Sequence, residues 1–180
     1  VQDLALFALT VFILNATPGV DMAFTLIATL RGGVKAGLAA AAGICAGCIV
    51  HTLGAAFGLA ALMATSATAF VVIKWVGAAY LAWLAIGMLR AGFSPAVDNE
   101  APPAASLTGT WALFRQGFFT NVLNPKVALF FLALLPQFIA ADAPNKTAAF
   151  LFLGAWFIAQ GFLFLAVFVM LAAPLRRWQP

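Results

Sequence analysis

The chain has 180 residues, of which 65% are hydrophobic and 8% charged, with a formal net charge of +4. A mean hydropathy of +1.08 leaves too little polar surface for a water-soluble domain of this size. The basic residues follow the loops instead of clustering on one face, which argues against a nucleic-acid-binding module.

The apolar residues fall into five runs, Leu4 to Ala28, Ala36 to Ala64, Phe70 to Leu89, Trp111 to Ala141 and Thr147 to Ala173. They are continuous and lack alternation with period two, so the chain reads as membrane-spanning helices and not as a β-barrel. Residues 1–16 carry Asp3 and no basic residue, and the apolar pattern resumes past Pro18. The first run is therefore a mature span and not a signal peptide.

That first run contains Asn15-Ala16-Thr17-Pro18-Gly19-Val20-Asp21 near its centre. Pro18 has no N–H to donate, and its ring clashes with the carbonyl four residues back, that of Leu14, so the helix must open there. Thr17 before Pro18 reads as an N-cap followed by proline at the first helical position. The segment is expected to be two half-helices, the second starting at mid-membrane with Asp21 in its first turn.

Span two is rich in small residues, with Gly43-x-x-x-Gly47 and Gly54-x-x-x-Gly58. Such spacing lets helix backbones approach closely, in a bundle or across a homodimer. Cys45 and Cys48 form a C-x-x-C with no second ligand pair in the chain, so they read as small packing residues and not as a metal or thioredoxin-like site. His51, near the centre of this span, is either a proton relay or a neutral histidine bonded to a neighbouring helix.

Span three holds Lys74, Trp75, Tyr80 and Trp83 and ends at Arg90, residues that anchor helices at interfaces or between neighbours. Residues 91–110 are the long polar stretch, with Pro95, Asp98, Glu100, Pro102 and Pro103, and read as a linker between two halves.

The helix-breaking pattern returns in the fourth run at Asn121-Val122-Leu123-Asn124-Pro125-Lys126. Asn124 is the expected cap, Pro125 the first helical residue, and the carbonyl of Asn121 is freed. Span five places Gln160 and Gly161 mid-helix, where Gln160 meets either substrate or a neighbouring helix. The run closes at Pro174, with Arg176-Arg177-Trp178 as an interfacial anchor.

Arg31, Lys35, Arg90, Arg115, Arg176 and Arg177 fall on loops of one side, against Lys146 and Lys74 on the other. The richer side is expected in the cytoplasm, which puts the N-terminus outside and the 91–110 linker inside.

Charged residues at the centre of a spanning helix cost about 2.5 to 3.5 kcal/mol each on insertion scales, so Asp21 and Lys126 must pair or line a wet cavity. A structural ion pair between them is the plain alternative to a binding site. Both, however, stand beside helix breaks, where freed N–H and carbonyl groups mark transporter sites near the midplane. Asp21 suits the positive dipole end of its half-helix, whereas Lys126 is repelled by its own and needs an anion. An amino-acid zwitterion would use Asp21 for its ammonium and Lys126 with the half-helix N-termini for its carboxylate. Alternatively Asp21 would take up a proton, burial favouring the neutral carboxyl, and proton exchange would be coupled to substrate exit. The expectation is an antiporter driven by a proton gradient with no bound cofactor and no metal.

The segments Thr17-Pro18-Gly19-Val20-Asp21, Lys74-Trp75-Val76-Gly77-Ala78-Ala79-Tyr80-Leu81 and Gly117-Phe118-Phe119-Thr120-Asn121-Val122-Leu123-Asn124-Pro125-Lys126 occur in that order, followed by Phe130-Phe131-Leu132 and Leu135-Pro136-Gln137-Phe138. Together they resemble the lysine exporter (LysE/RhtB) family. The resemblance covers nearly the whole chain, departing at Val20, where members often have proline. It implies an amino-acid efflux protein, multi-pass in the bacterial cytoplasmic (inner) membrane, with an amino acid as its small-molecule substrate.

The expected architecture is all-α: five spans here and six in the full protein, the chain being a fragment without the last. They form two inverted three-helix repeats with helices 1 and 4 broken, residues 1–90 being the first repeat and 111–180 the second. The expected substrate-binding and coupling residues are Asn15, Thr17, Pro18, Gly19, Asp21, Asn121, Asn124, Pro125 and Lys126, with His51 and Gln160 as outer candidates. The chain is expected to be a transporter and not an enzyme. The alternatives are a membrane electron-transfer protein using Cys45 and Cys48, and a passive channel.

Overall fold

The computed structural model of the chain describes residues 1, 3–66, 68, 71–72, 75–80, 82–83, 86, 109–140 and 143–178. In order these form α1 (Leu4–Ala16), α2 (Val20–Leu53), a π-helical turn (Gly54–Leu59) and α3 (Ala60–Thr65). There follow α4 (Thr110–Val122), α5 (Pro125–Leu129), a π-helical stretch (Phe130–Leu134), a 3-10 turn (Leu135–Phe138), α6 (Lys146–Ala172) and a last 3-10 turn (Ala173–Trp178). No strand occurs among the described residues. Span three is described only at scattered positions, and Lys74, Arg90 and residues 91–108 lie outside the described residues.

Two helical stretches, Val20–Met63 and Lys146–Arg176, are long and apolar enough to cross a membrane. A third qualifies if Thr110–Val122 and Pro125–Phe138, bent by 48°, form one broken span. The stretch Val20–Met63 has 44 residues and would extend about 66 Å as a straight helix, twice the roughly 30 Å of a hydrocarbon core. Gly33 resolves the mismatch. Its φ of 74° and ψ of −167° lie in a region open essentially to glycine alone, and the chain doubles back there. Ala28 in the first arm of α2 packs with Ala36 and Ala40 in the second, and Phe24 packs against Ala41 and Ile44. The two arms correspond to the end of the first apolar run and the start of the second.

The second arm lies against α4 with almost no side chain between them. A Cβ on Gly43 would run into the Phe114 carbonyl, one on Gly117 into the Ala40 carbonyl, and one on Gly47 into Asn121. Close backbone approach of this kind stands in for the hydrophobic drive that lipid does not supply. The Gly43/Gly47 pair is thus used within the chain, which removes it as the expected dimer face; Gly54 and Gly58 meet no atom within 4 Å among the described residues.

The opposite end of the bundle is aromatic. Phe7, Phe130, Phe131 and Phe150 are buried there, with Phe7 edge-on to Phe138 at 5.0 Å and Phe130 stacked on Phe157 at 4.9 Å. Each such pair adds about 0.5–1.5 kcal/mol to packing. Arg31 and Lys35 flank the Gly33 turn, against which Arg176 rests. Arg115 stands beside Leu113, which packs on Ala36 and Ala40. These four cations therefore share one end, while Asp3 and Lys146 lie next to the aromatic end.

Candidate functional site

The two helix breaks face each other across a cavity of about 50 Å³, lined among others by Asn15, Asp21, Asn121 and Lys126. That volume holds a few waters. Thr17, Gly19 and Asn124 also line it, so seven of the expected residues meet there. Pro18 and Pro125 do not face it; both are exposed and act by opening the backbone.

At the first break the expected cap is replaced. Thr17 ends α1 with extended backbone, and its hydroxyl donates back to the Ile13 carbonyl at 2.6 Å. Gly19 precedes the first turn of α2 instead, with no side chain to cap it. The physical reason is competition: a threonine hydroxyl serves the carbonyl four residues back as readily as an N–H ahead, and Gly19, at φ −172° and ψ −179°, carries the chain past Thr17 before the helix resumes. The first intrahelical bond of α2 runs from Ala23 N–H to the Gly19 carbonyl at 3.0 Å, and no side chain caps the N–H groups before it. Asp21 remains in that first turn.

The second break is self-capped, as the sequence implies. Asn124 Oδ1 accepts from Lys126 N–H at 3.0 Å, and Pro125 occupies the first helical turn. Lys126 then reaches across the cavity, where its Nζ donates to the carbonyls of Leu14 and Thr17, both at 2.8 Å. The carbonyl freed by Pro18 is therefore bonded to the lysine that follows Pro125. In place of the expected anion Lys126 meets the carbonyl end of α1, the negative end of that half-helix.

Asp21 and Lys126 form no ion pair in this arrangement, because each is held elsewhere. Asp21 Oδ2 accepts from Asn121 Nδ2 at 2.9 Å. Its other oxygen, Oδ1, is buried and has no partner, and the same holds for Asn15 Nδ2. One orphan acceptor and one orphan donor thus line the same cavity, where buried polar groups are ordinarily bonded.

Asn121 connects the rest. Its Oδ1 accepts from Cys48 Sγ at 3.3 Å, which orients the amide so that its NH₂ meets Asp21. Its backbone carbonyl, freed by Pro125, lies 3.1 Å from His51 Nε2. A carbonyl only accepts, so Nε2 carries the proton. His51 also stacks on Phe131 at 5.8 Å between ring centres, so it is bonded and packed against neighbouring helical segments. Gln160 faces away: its Nε2 donates to the Ala8 carbonyl at 2.8 Å and its Oε1 accepts from Trp156 at 2.9 Å. It joins α6 to α1 and does not line the cavity.

Cys45 and Cys48 are free thiols, buried as expected of packing residues, but they line the cavity as well. Their three-residue spacing on a helix put them on one face, a signal that the C-x-x-C reading passed over. The apolar wall was not foreseen either; it comes from Ile44, Val127, Phe157, Ile158 and Leu165, with Gly161 among them.

The chain is 33% identical to the homoserine/homoserine lactone efflux protein of Salmonella typhimurium, over 96% of this chain and 81% of the relative. It is 33% identical to an uncharacterized membrane protein of Vibrio cholerae, over 96% and 82%, and 28% identical to the leucine efflux protein of an Enterobacter species, over 93% and 78%. No solved structure matches the chain. Residues 12–180 match the LysE type translocator family, and with these relatives the match establishes that the chain belongs to that family of membrane translocators.

Proposed function

We propose that the chain exports amino acids or close derivatives from the cytoplasm in exchange for protons, with the cavity between the two breaks as the transport site. The observation that carries this reading is the pair of orphan groups, Asp21 Oδ1 and Asn15 Nδ2. A zwitterion complements them: its ammonium is a donor for Asp21, and its carboxylate is an acceptor for Asn15 and for the uncapped N–H groups at the start of α2. Relatives named for homoserine, homoserine lactone and leucine efflux support this class of cargo. Electron transfer through Cys45 and Cys48 is not favoured, since both thiols stand on one helix in a family of translocators.

In this reading Asp21 accepts a proton from outside, loses its hold on the ammonium and releases the amino acid. Return of the proton to the cytoplasm restores the site. Lys126 holds the mouth of the first break while the cavity is narrow, and the cavity widens to admit cargo. The membrane is the bacterial inner membrane, with the end bearing Arg31, Lys35, Arg115 and Arg176 in the cytoplasm and the N-terminus outside. The architecture behind this is two inverted three-helix repeats, and no cofactor is required. Cells loaded with radiolabelled amino acids and expressing the full-length protein should lose label faster than vector controls, and a protonophore should remove the difference. Equal loss with and without the protein would overturn the assignment.

A further inference from the structure

The wall of the cavity formed by α6 has one gap. Phe157, Gly161 and Leu165 recur every four residues, on one face of the helix, and all three line the cavity together with Ile158. Gly161 alone lacks a side chain, so a notch opens between Phe157 and Leu165. A Cβ added there would stand 3.8 Å from both Asn15 Nδ2 and Oδ1. This is ordinary contact, so a methyl fits and takes up the space. The notch adjoins one of the two orphan polar groups, and its sides carry no charge.

We propose that the notch at Gly161 is the subsite for the side chain of the transported amino acid, and that the glycine sets the size admitted. The proposal rests on the exporter reading and extends it to a specificity-determining position. The α-ammonium and α-carboxylate engage Asp21 and Asn15, which directs the third substituent of the Cα into the gap between the aromatic and aliphatic walls. An uncharged side chain is accommodated there; a charged one would be buried without a partner. Removing the gap should act on large side chains more than on small ones, while trimming Ile158 beside it should act the other way.

The test is efflux of radiolabelled alanine, threonine, leucine, phenylalanine, lysine and glutamate from loaded cells, with the amount of protein in the membrane measured by immunoblot. Relative to the wild-type protein, Gly161→Ala should lower the ratio of larger to smaller exported neutral amino acids by about tenfold, the lower end of what one methylene is worth in a pocket. Ile158→Ala should raise that ratio. The two variants move in opposite directions, so poor insertion of either leaves the other to decide. Unchanged ratios in the inserted variants, or wild-type export of lysine or glutamate equal to that of leucine, would overturn the subsite. If the wild-type protein exports none of the four uncharged amino acids, the subsite falls, while the exporter reading stands or falls on efflux across the wider set of amino acids and derivatives.

Discussion

The two helix breaks are written in nearly the same residues, a polar residue followed by proline, yet they are completed in different ways. The break at Pro125 is capped from within: Asn124 caps α5 and its N–H also bonds the Asn121 carbonyl at 2.9 Å, which His51 of α2 meets as well. The break at Pro18 has no such cap, and its Leu14 and Thr17 carbonyls are bonded by Lys126 from the other break. One break has its own cap, and the other is held shut by a cation 109 and 112 residues away in sequence. Local motif likeness therefore does not imply equal mechanical roles: the first break is the one free to move when Lys126 lets go.

The largest effect should come from removing the tether. Lys126→Met strands two carbonyls that have no other donor, at about 1–3 kcal/mol for each unsatisfied buried group. Efflux should fall by about a hundredfold or more, the scale of loss when a binding group shifts by ~1 Å, and thermal unfolding in detergent should occur at lower temperature. If Lys126→Met matches the wild-type protein in both, the first break needs no tether and the contrast dissolves.

The prolines come next. Pro18→Ala supplies the missing N–H, which competes with Lys126 for the Leu14 carbonyl and straightens a break that has no cap of its own. Pro125→Ala leaves the Asn124 cap in place. Both should insert normally and both should lose efflux, with Pro18→Ala the more impaired by about tenfold, or 1.4 kcal/mol. Equal impairment would mean that the two breaks contribute alike. The smallest effect is expected from Asn124→Ala, which removes one cap at about 1 kcal/mol; a loss of stability comparable to that of Lys126→Met would reverse the ranking.

The positions of both breaks were readable because proline lacks a donor wherever it stands, and Asn124 was readable as a cap because asparagine before proline has few other uses. Thr17 was misread because its hydroxyl has two backbone partners within reach, and the choice between them depends on the extended conformation of Gly19. The contact of Lys126 with Leu14 and Thr17 was beyond local reading, since it depends on how α1 and α5 are brought together by the α2 hairpin and α4. Gly33 carries no motif that marks it in the sequence; its backbone angles show that it reverses the chain. Gly43 and Gly47 were legible as a packing face, but nothing in their spacing distinguished α4 from a second copy as the partner. The π-helical segments at Gly54–Leu59 and Phe130–Leu134 have no sequence signal of comparable strength.

The most direct test of the central claim, that Asp21 and Lys126 serve transport and do not merely neutralise each other, is efflux by the combined Asp21→Asn, Lys126→Met variant. A simple ion pair would be relieved by removing both charges, because no uncompensated charge would remain buried. In the structure each charge has its own partners, Asn121 for Asp21 and two α1 carbonyls for Lys126, so neutrality alone does not restore the site. The combined variant should reach the membrane in amounts close to those of the wild-type protein and export no labelled amino acid above the vector control. Export at the wild-type rate would contradict the account and leave both residues as structural charges.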